Sequence, residues 1–347
     1  MDKIAVLTSG GDSPGMNAAV METARFAARA GMPLIGIKRG FNGLIGKFRP
    51  EDSFTRMNLD TVLDIADLPG TYLRTARCEE FFQHEYRVKA AKFLKDLGVK
   101  GLVVIGGDGS YMGALRLSEL GMPCIGIPGT IDNDLEYSET SLGFDTAVNV
   151  CMEAVRAIRA TSRSHDRPAV VEVMGRNCGD IAMQTAMSTG SEIVVVPEAK
   201  GWKVEEVAER LKALAARGNT RATIVVAEGA YLTMKPFDVY GYLKDFTQVF
   251  EGEKMTARRF AHILKYMTKT EVRHNVIGYV QRGHEPTAQD AAFAFEAGNM
   301  AIELLRRGIG NEVIGVRRGR VFHMPIDKAL KKKPRFKKDI YQMINSL

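Results

Sequence analysis

Residues 102–120, LVVIGGDGSYMGALRLSEL, place a strand, a glycine-rich turn and a helix in immediate succession. Residues 102–105 form a continuous apolar run, which is typical of a buried parallel strand. Residues 111–120 have the apolar spacing of a helix, and Gly121 follows as its end. In sheets built from alternating strands and helices, ligands bind beyond the carboxyl ends of the strands. The stretch therefore predicts an α/β sheet with a ligand loop at residues 106–110.

The same alternation continues on both sides of this stretch, through most of the 347 residues. Short apolar runs predict buried strands at residues 4–7, 34–37, 102–105, 124–127, 169–174, 193–196 and 223–227. Longer amphipathic patterns predict helices at residues 17–30, 80–97, 111–120, 144–162, 204–216, 256–267 and 289–307. This order predicts the α/β class, with one or more doubly wound, mainly parallel sheets.

The composition excludes several classes of protein. With 347 residues, 45% hydrophobic and 26% charged, the chain has the length of about two domains and is neither collagenous nor mostly disordered. Its formal net charge of +7 suits nucleic acid, phosphorylated metabolites or a membrane surface as partner. The start lacks the pattern of a secretory signal, no window resembles a membrane span, and the four cysteines are far apart. We therefore expect a cytoplasmic protein with no membrane partner, no disulfide framework and no zinc site.

Several predicted strands end in loops that combine glycine with acids, at residues 8–15, 106–110, 128–134 and 174–180. Glycine lets backbone N–H groups approach a phosphate, and a helix N-terminus adds partial positive charge. Asp108 is a candidate magnesium ligand, because that ion takes one or two carboxylates beside phosphate oxygens. For this loop alone, a tight turn with Asp108 as helix cap is the alternative. The collection of such loops at strand ends favours a phosphate and magnesium site.

The loop at residues 128–134 reads PGTIDND and offers two carboxylates, Asp132 and Asp134, preceded by the hydroxyl of Thr130. A carboxylate in this position can accept a proton from a substrate hydroxyl. A simple turn rich in Asp and Asn is the alternative. Because similar loops follow other predicted strands, we favour the role of proton acceptor over that of a simple turn.

Arginine side chains bind phosphate through paired hydrogen bonds. The candidates, each with a solvated surface role as the alternative, are Arg77, Arg167, Arg176, Arg273 and Arg282. The basic run at residues 331–338 has no interleaved aromatic pairs and predicts a solvated face rather than an RNA site. We therefore expect no nucleic acid as partner, although the net charge leaves that class open.

Taken in order, the motifs TSGGDSPGMNAA, GTYLRTARC, VVIGGDGSYMGA, PGTIDND, VVEVMGR with CGD, VAEG and GYVQRG resemble those of bacterial ATP-dependent 6-phosphofructokinases. The resemblance extends from residue 4 to about residue 315. It implies magnesium-dependent phosphoryl transfer from ATP to the 1-hydroxyl of fructose 6-phosphate, the committed step of glycolysis. It also implies a homotetramer with sites shared between subunits.

The resemblance further implies two Rossmann-like lobes. The nucleotide-binding lobe would comprise residues 1–143 with about 281–331, and the sugar-phosphate lobe residues 144–280 with about 332–347. The implied ATP ligands are Gly11, Arg77, Cys78, Gly107, Asp108, Gly109 and Ser110, with Asp108 also on magnesium.

For the reaction itself, the resemblance implies Asp132 as general base, with Thr130, Asp134 and Arg176 beside it. The implied substrate ligands are Thr130, Ile131, Asp132, Arg167, Met174, Gly175, Arg176, Glu228, Arg273, Tyr279 and Arg282. Of these, Arg167 and Arg273 would come from a neighbouring subunit.

The phosphoryl donor is indicated by two glycines. Pyrophosphate-dependent relatives usually have an acid at the place of Gly109 and a lysine at the place of Gly129, so open space at both glycines is expected here and fits ATP. The alternatives that stay open are pyrophosphate as donor, another sugar phosphate such as sedoheptulose 7-phosphate as acceptor, and a catalytically weak regulatory paralogue.

The chain also departs from the family pattern. Tyr279 replaces a common histidine, GHEP at residues 283–286 replaces GGSP, and residues 229–272 are longer than in short bacterial members. Of the family's regulatory-site positions, Arg25, Arg159, Glu192 and Arg217 match, whereas Met21 and Asn219 replace basic residues. Because two phosphate contacts are lost, we expect weak or altered allostery.

Overall fold

The computed structural model describes residues 2–235, 255–333 and 335–346. The chain divides into two compact units. Unit 1 comprises Met1–Ala147 and Arg282–Pro334, and unit 2 comprises Val148–Gln281 and Arg335–Leu347. The sequence placed these boundaries after residues 143, 280 and about 331.

The strands of the described residues are β1 Lys3–Thr8, β2 Leu34–Ile37, β3 Phe54–Met57, β4 Val99–Gly106, β5 Cys124–Pro128, β6 Ala169–Val173, β7 Ile193–Val195, β8 Thr223–Ala227, β9 Arg273–Val276, β10 Glu312–Arg317 and β11 Arg320–Pro325. The α-helices of the described residues are α1 Met16–Arg29, α2 Pro50–Ser53, α3 Leu59–Leu63, α4 His84–Asp96, α5 Asp108–Ser118, α6 Phe144–His165, α7 Asp180–Thr189, α8 Val204–Ala216, α9 Ala257–Thr268, α10 Ala288–Arg306, α11 Ile326–Ala329 and α12 Lys338–Asn345.

The predicted strands and helices are present, and three of the strands that were not predicted share a physical reason. Strands β3, β9, β10 and β11 were not predicted, and three of them, FTRM, RHNV and RVFHMP, have no continuous apolar run because they are partly exposed sheet edges. The single helix predicted at residues 80–97 is wrong at its start. Glu79–Phe82 is a 3-10 helix, Gln83 is extended, and α4 begins at His84. Helices α2, α3, α7, α11 and α12 were also not predicted.

The sheet of unit 1 has the strand order β11-β10-β5-β4-β1-β2-β3. Strands β2 and β3 pair antiparallel, as do β10 and β11, and the other neighbours are parallel. The chain moves outward from β1 through β2 to β3 and then returns to the other side of β1 as β4. The order therefore reverses between β1 and β4, and such a reversal is where doubly wound sheets bind ligands.

Alternating residues of the unit 1 strands belong to different cores. On β1, Ile4 and Val6 pack in a cluster with residues of α1 and α10, whereas Ala5 and Leu7 pack in a cluster with residues of α4 and α5. Burial on both faces explains why the central strands are continuous apolar runs. Parallel pairing places the carboxyl ends of β1, β4 and β5 at the same edge of the sheet.

The sheet of unit 2 has the order β7-β8-β6-β9, with all strands parallel. Its core contains Val170, Ile224 and Val226, which pack in a cluster with residues of α8 and α9. Both sheets are mainly parallel, which confirms the predicted α/β class. Within the described ranges, no helix is long and apolar enough to cross a membrane.

Candidate active site

The loops after β1, β4 and β5 lie side by side at the carboxyl edge of the unit 1 sheet. The Ser9 N–H donates to the Ile105 carbonyl over 2.9 Å, and the Gly129 N–H donates to the Gly106 carbonyl over 3.0 Å. The hydrogen-bond ladder of the sheet thus continues for one residue beyond the strands. Three of the glycine- and acid-bearing loops that the sequence singled out are therefore neighbours.

The first two loops need glycine for two different reasons. Gly10 has φ +90°, in the left-handed region that favours glycine. At Gly106, a Cβ would lie 2.5 Å from the Ser110 Oγ and 2.6 Å from the Ser9 carbonyl oxygen. Any side chain at Gly106 would therefore force the loops apart.

The β4 loop leads directly into α5. Gly107 occupies the N-cap position, and Asp108 is the first helical residue rather than the cap. Asp108 and Gly109 are exposed, whereas Ser110 is buried. Helix N-termini attract anions through their unpaired N–H groups and the helix dipole. The loop thus presents one carboxylate beside a helix end of the kind that attracts phosphate.

The β5 loop presents its acids at partly exposed positions. Ile131 is buried, while Asp132 and Asp134 are half-buried. The Asp132 N–H donates to the Thr130 Oγ1 over 3.2 Å, and the Ser141 hydroxyl donates to the Thr130 carbonyl over 2.6 Å. These bonds stabilise the conformation of the loop that carries the two carboxylates.

A fourth segment, residues 71–78, is attached to the β1 loop. The Thr75 hydroxyl donates to the Gly10 carbonyl over 2.8 Å, and the Asn42 amide donates to the Arg77 carbonyl over 2.9 Å. Arg77 is exposed and Cys78 is half-buried. Burial raises the pKa of the Cys78 thiol, so this group contributes a neutral surface.

Arg282 lies against the β1 loop of unit 1. Its guanidinium donates to the Asp12 carbonyl, and its Nη1 is 3.0 Å from the place where a Cβ of Gly11 would stand. The sequence assigned Gly11 to the nucleotide and Arg282 to the sugar 6-phosphate. The structure brings these two predicted ligands together at one loop.

In unit 2, the turn after β6 packs against the residues after β8. The Arg176 N–H donates to the Glu228 Oε1 over 2.9 Å. Gly175 has φ +125°, and a Cβ at Gly229 would collide with the Arg176 carbonyl oxygen. The predicted sugar-lining residues Met174, Gly175, Arg176 and Glu228 therefore form one cluster, and Gly229 is a residue that the sequence reasoning missed.

Gln281 connects this cluster to the turn after β9 and was also missed. Its side chain is fully buried. Its Oε1 accepts the Met174 N–H over 3.2 Å and the Cys151 thiol over 3.0 Å, and its Nε2 donates to the Gly278 carbonyl over 3.0 Å. By contrast, Tyr279 is 84% exposed. A polar residue in the middle of GYVQRG was the available signal for Gln281.

Arg167 and Arg273 do not join that cluster within one chain. Arg167 precedes β6 and Arg273 begins β9, so both lie at the amino edge of the sheet, whereas Met174 follows β6 at the carboxyl edge. The Arg273 Nη2 lies 3.7 Å from the Glu271 Oε1. The two edges are separated by the length of β6, about 15 Å at ~3.3 Å per residue.

The two glycines that bear on the phosphoryl donor have different surroundings. Around Gly109 there is no atom within 4 Å of an added Cβ, as expected. At Gly129 the expectation of open space is wrong, because a Cβ would lie 2.9 Å from the Met16 Cε and 3.0 Å from the Ile105 Cγ2. Side chains of this chain itself fill the second position.

The donor set fits magnesium rather than a metal held by protein alone. Among the residues that the structure describes, no three His, Cys, Asp or Glu side chains are grouped as a metal site. Magnesium usually takes one or two carboxylates and completes its shell with phosphate oxygens and water. The exposed Asp108 at the start of α5 meets that requirement.

Mainly parallel sheets whose strands end in glycine- and acid-bearing loops are typical of proteins that bind phosphorylated ligands. The profile of one such family, Phosphofructokinase, matches residues 3–305, and the chain belongs to this family.

Among curated relatives, the chain is 43% identical to ATP-dependent 6-phosphofructokinase 1 of Clostridium perfringens (strain 13 / Type A), over 347 residues that cover 100% of this chain and 99% of the relative. It is 44% identical to ATP-dependent 6-phosphofructokinase of Clostridioides difficile (strain 630), with the same coverage. The structure of phosphofructokinase from Saccharomyces cerevisiae is similar with a TM-score of 0.81 and 30% identity. That match covers 95% of this chain and 45% of the yeast chain, so this chain spans less than half of the yeast protein. The fold expected from the sequence is confirmed.

Proposed function

We propose that this protein transfers the terminal phosphoryl group of ATP to the 1-hydroxyl of fructose 6-phosphate, with magnesium, and releases fructose 1,6-bisphosphate and ADP. The observation that carries the proposal is the set of adjacent strand-end loops, with Asp108 at the start of α5 and Asp132 and Asp134 in the next loop. Full-length identity of 43% to an ATP-dependent 6-phosphofructokinase supports the choice of donor and acceptor.

On the nucleotide side, the N–H groups at the start of α5 receive phosphate oxygens. Gly11, Arg77 and Cys78 contact the rest of ATP, together with Gly107, Gly109 and Ser110. Asp108 holds magnesium, which offsets the charge of the phosphate oxygens when it is bound. The open space around Gly109 supports ATP over pyrophosphate, because nothing there obstructs a larger donor.

On the acceptor side, Asp132 takes the proton of the 1-hydroxyl as that oxygen attacks the phosphorus. Thr130 and Asp134 orient the reacting groups, and the exposed Arg176 offsets negative charge near the transferring phosphoryl group. Positioning and electrostatics contribute most of the acceleration in reactions of this type.

The sugar phosphate contacts Ile131, Met174, Gly175, Glu228, Tyr279 and Arg282. Arg167 and Arg273 act on the sugar phosphate of a neighbouring subunit, in a homotetramer. Their place at the amino edge of the unit 2 sheet supports this assignment, because Met174 lies at the opposite edge. A cytoplasmic location belongs to the same proposal.

The test measures fructose 1,6-bisphosphate formation from fructose 6-phosphate and magnesium, with either ATP or pyrophosphate. We expect turnover with ATP, and we expect Asp132→Asn to lower kcat by about 10²- to 10⁴-fold because the base is lost. Asp96→Asn, at an exposed position on α4, is the matched control and keeps full activity. Turnover with pyrophosphate alone would overturn the donor assignment, and activity with neither donor would overturn the reaction.

A further inference from the structure

Two buried tyrosines lie beneath the loops of unit 1. Tyr111 on α5 is 0% exposed and Tyr137, in the segment after β5, is 3% exposed. Their hydroxyl oxygens are 2.8 Å apart, and the Tyr137 hydroxyl is 2.9 Å from the Ile314 carbonyl oxygen on β10. The three groups form a hydrogen-bonded chain inside the protein.

The direction of this chain follows from the protons available. Burial raises the pKa of Tyr111 and of Tyr137, so both phenols keep their proton. A carbonyl oxygen only accepts, so the Tyr137 proton goes to Ile314. The Tyr111 proton then goes to the Tyr137 oxygen. Tyr137 is thus both donor and acceptor, whereas Tyr111 is a donor only.

The chain joins the two segments that carry the proposed reacting groups. Tyr111 lies one helical turn after Asp108, and Tyr137 follows Asp134 by three residues. The charges of Asp108 and Asp134 both act to raise the pKa of Tyr111, although less than burial does. Both carboxylates are therefore within electrostatic reach of the same buried hydroxyl.

The far side of this connection is anchored to the sheet. The Val316 N–H donates to the Ser138 Oγ over 2.8 Å, and the Glu139 N–H donates to the Val316 carbonyl over 2.9 Å. Under α5, a Cβ at Gly126 on β5 would lie 2.6 Å from the Tyr111 ring. The segment around Tyr137 is thus held on β10, and Tyr111 is packed on β5.

We propose that the Tyr111–Tyr137 hydrogen bond is a positioning element, which sets the separation between Asp108 at the start of α5 and the Asp132–Asp134 loop. This inference rests on the proposed function, because it assigns Asp108 to magnesium and the nucleotide, and Asp132 to the acceptor hydroxyl. Neither tyrosine contacts the substrates, since both are buried in the core of unit 1. Their effect on the reaction passes through the two segments that they join.

The test uses Tyr111→Phe, Tyr137→Phe and the double variant of the full-length chain. Each substitution removes one hydroxyl and keeps the ring. We expect Tyr111→Phe to lower kcat about three- to tenfold, the size of one net hydrogen bond, with KM for fructose 6-phosphate unchanged. We expect the kcat of the double variant to be no lower than that of Tyr137→Phe alone. The reason is that Tyr137→Phe already removes the Tyr111–Tyr137 hydrogen bond.

A second readout does not depend on turnover. Calorimetry measures the Kd for binding of ADP, in the presence of magnesium, to the protein. We expect this Kd to rise about three- to tenfold in Tyr111→Phe. Tyr86→Phe is the matched control, because Tyr86 on α4 packs against the same core. We expect removal of the Tyr86 hydroxyl to leave both kcat and this Kd unchanged. Thermal unfolding establishes that each variant is folded.

Three outcomes separate the possibilities. A lower melting temperature with unchanged kcat and unchanged Kd in Tyr111→Phe would overturn the inference and leave the pair a purely structural one. Parental protein that binds magnesium with ADP but forms no fructose 1,6-bisphosphate would overturn the proposed function instead. If Tyr137→Phe fails to fold, Tyr111→Phe decides alone, because it keeps the bond from Tyr137 to Ile314.

Discussion

At Gly109, we expect the absence of a side chain to determine which phosphoryl donor can bind. The Cβ position of this glycine is open, and α5 begins one residue earlier, so substitution leaves the fold intact. We expect Gly109→Asp to raise KM for ATP sharply, because a carboxylate would repel the phosphates and occupy the space beside Asp108. Steady-state kinetics with ATP as the varied substrate measure the change.

Gly109→Asn separates the two causes, since it has nearly the same size without the charge. If KM for ATP rises in both variants, the size of the new side chain is the cause. If KM rises only in Gly109→Asp, repulsion between the carboxylate and the phosphates is the cause. Unchanged ATP kinetics in Gly109→Asp would contradict the assignment of this loop to the nucleotide.

Gln281 is a residue whose importance follows from its partners. Gln281→Leu would leave the Met174 N–H without its acceptor and would release the turn that carries Tyr279. We expect KM for fructose 6-phosphate to rise about tenfold, as for one unsatisfied buried group, with KM for ATP unchanged. Cys151→Ala, which removes only a thiol donor to the same oxygen, is the control. Equal changes in both KM values would show that the effect is not confined to the sugar side.

Among the secondary-structure elements, α12 provides hydrogen-bond partners for the edge strand β7 of the unit 2 sheet. The Asn345 side chain accepts the Val194 N–H over 3.1 Å and donates to the Val194 carbonyl over 3.0 Å, so it occupies the place of a further strand at the edge of β7. Unpaired edge groups are costly and promote association between sheets. We expect Asn345→Leu to lower the free energy of unfolding by about 1–3 kcal/mol, because the Val194 groups lose their partner.

Denaturant unfolding measures this change. Gln342→Leu, at an exposed position on the same helix, gives the effect of adding a leucine without removing an edge contact. If the two variants unfold at the same denaturant concentration, Asn345 does not stabilise the sheet edge.

For the complete chain, the contacts of Glu192 bear on regulation. Its carboxylate accepts the Asn219 amide over 2.8 Å and the Thr223 N–H over 2.8 Å, and the Arg159 Nη2 lies 3.5 Å away. Met21, at a position where the family resemblance implies a basic residue, is buried. We expect two features to oppose the binding of an anionic effector. One is the Glu192 carboxylate, and the other is that there are fewer cations than the family's regulatory-site pattern implies.

We therefore expect millimolar ADP to change the half-saturating concentration of fructose 6-phosphate by less than about twofold, since each lost charge-assisted bond removes roughly 1.5–3 kcal/mol of effector binding. Rate measurements at a fixed ATP concentration check this, with phosphoenolpyruvate as a second anion. A large activation at low ADP concentration would show that the regulatory site is intact.

Local patterns in the sequence were sufficient for the buried framework. The central strands of unit 1 are buried along most of their length, so each contains a continuous apolar run, and the glycine loops are visible because they follow such runs. The family motifs indicated the reaction class, and the family match confirms it. The partly exposed edge strands β3, β9 and β11 could not be predicted in this way, since what stabilises them is pairing with a distant strand.

Only the tertiary structure determined which groups are neighbours. Arg282 meets Gly11, Gln281 meets Met174, and Tyr111 meets Tyr137 through contacts between distant parts of the chain. The same holds for Gly129, where Met16 and Ile105 occupy space that the sequence suggested was open. Composition and periodicity report how a residue relates to its own helix or strand. Hydrogen bonds and steric contacts between elements depend on register and packing, and these exist only once the sheet has formed.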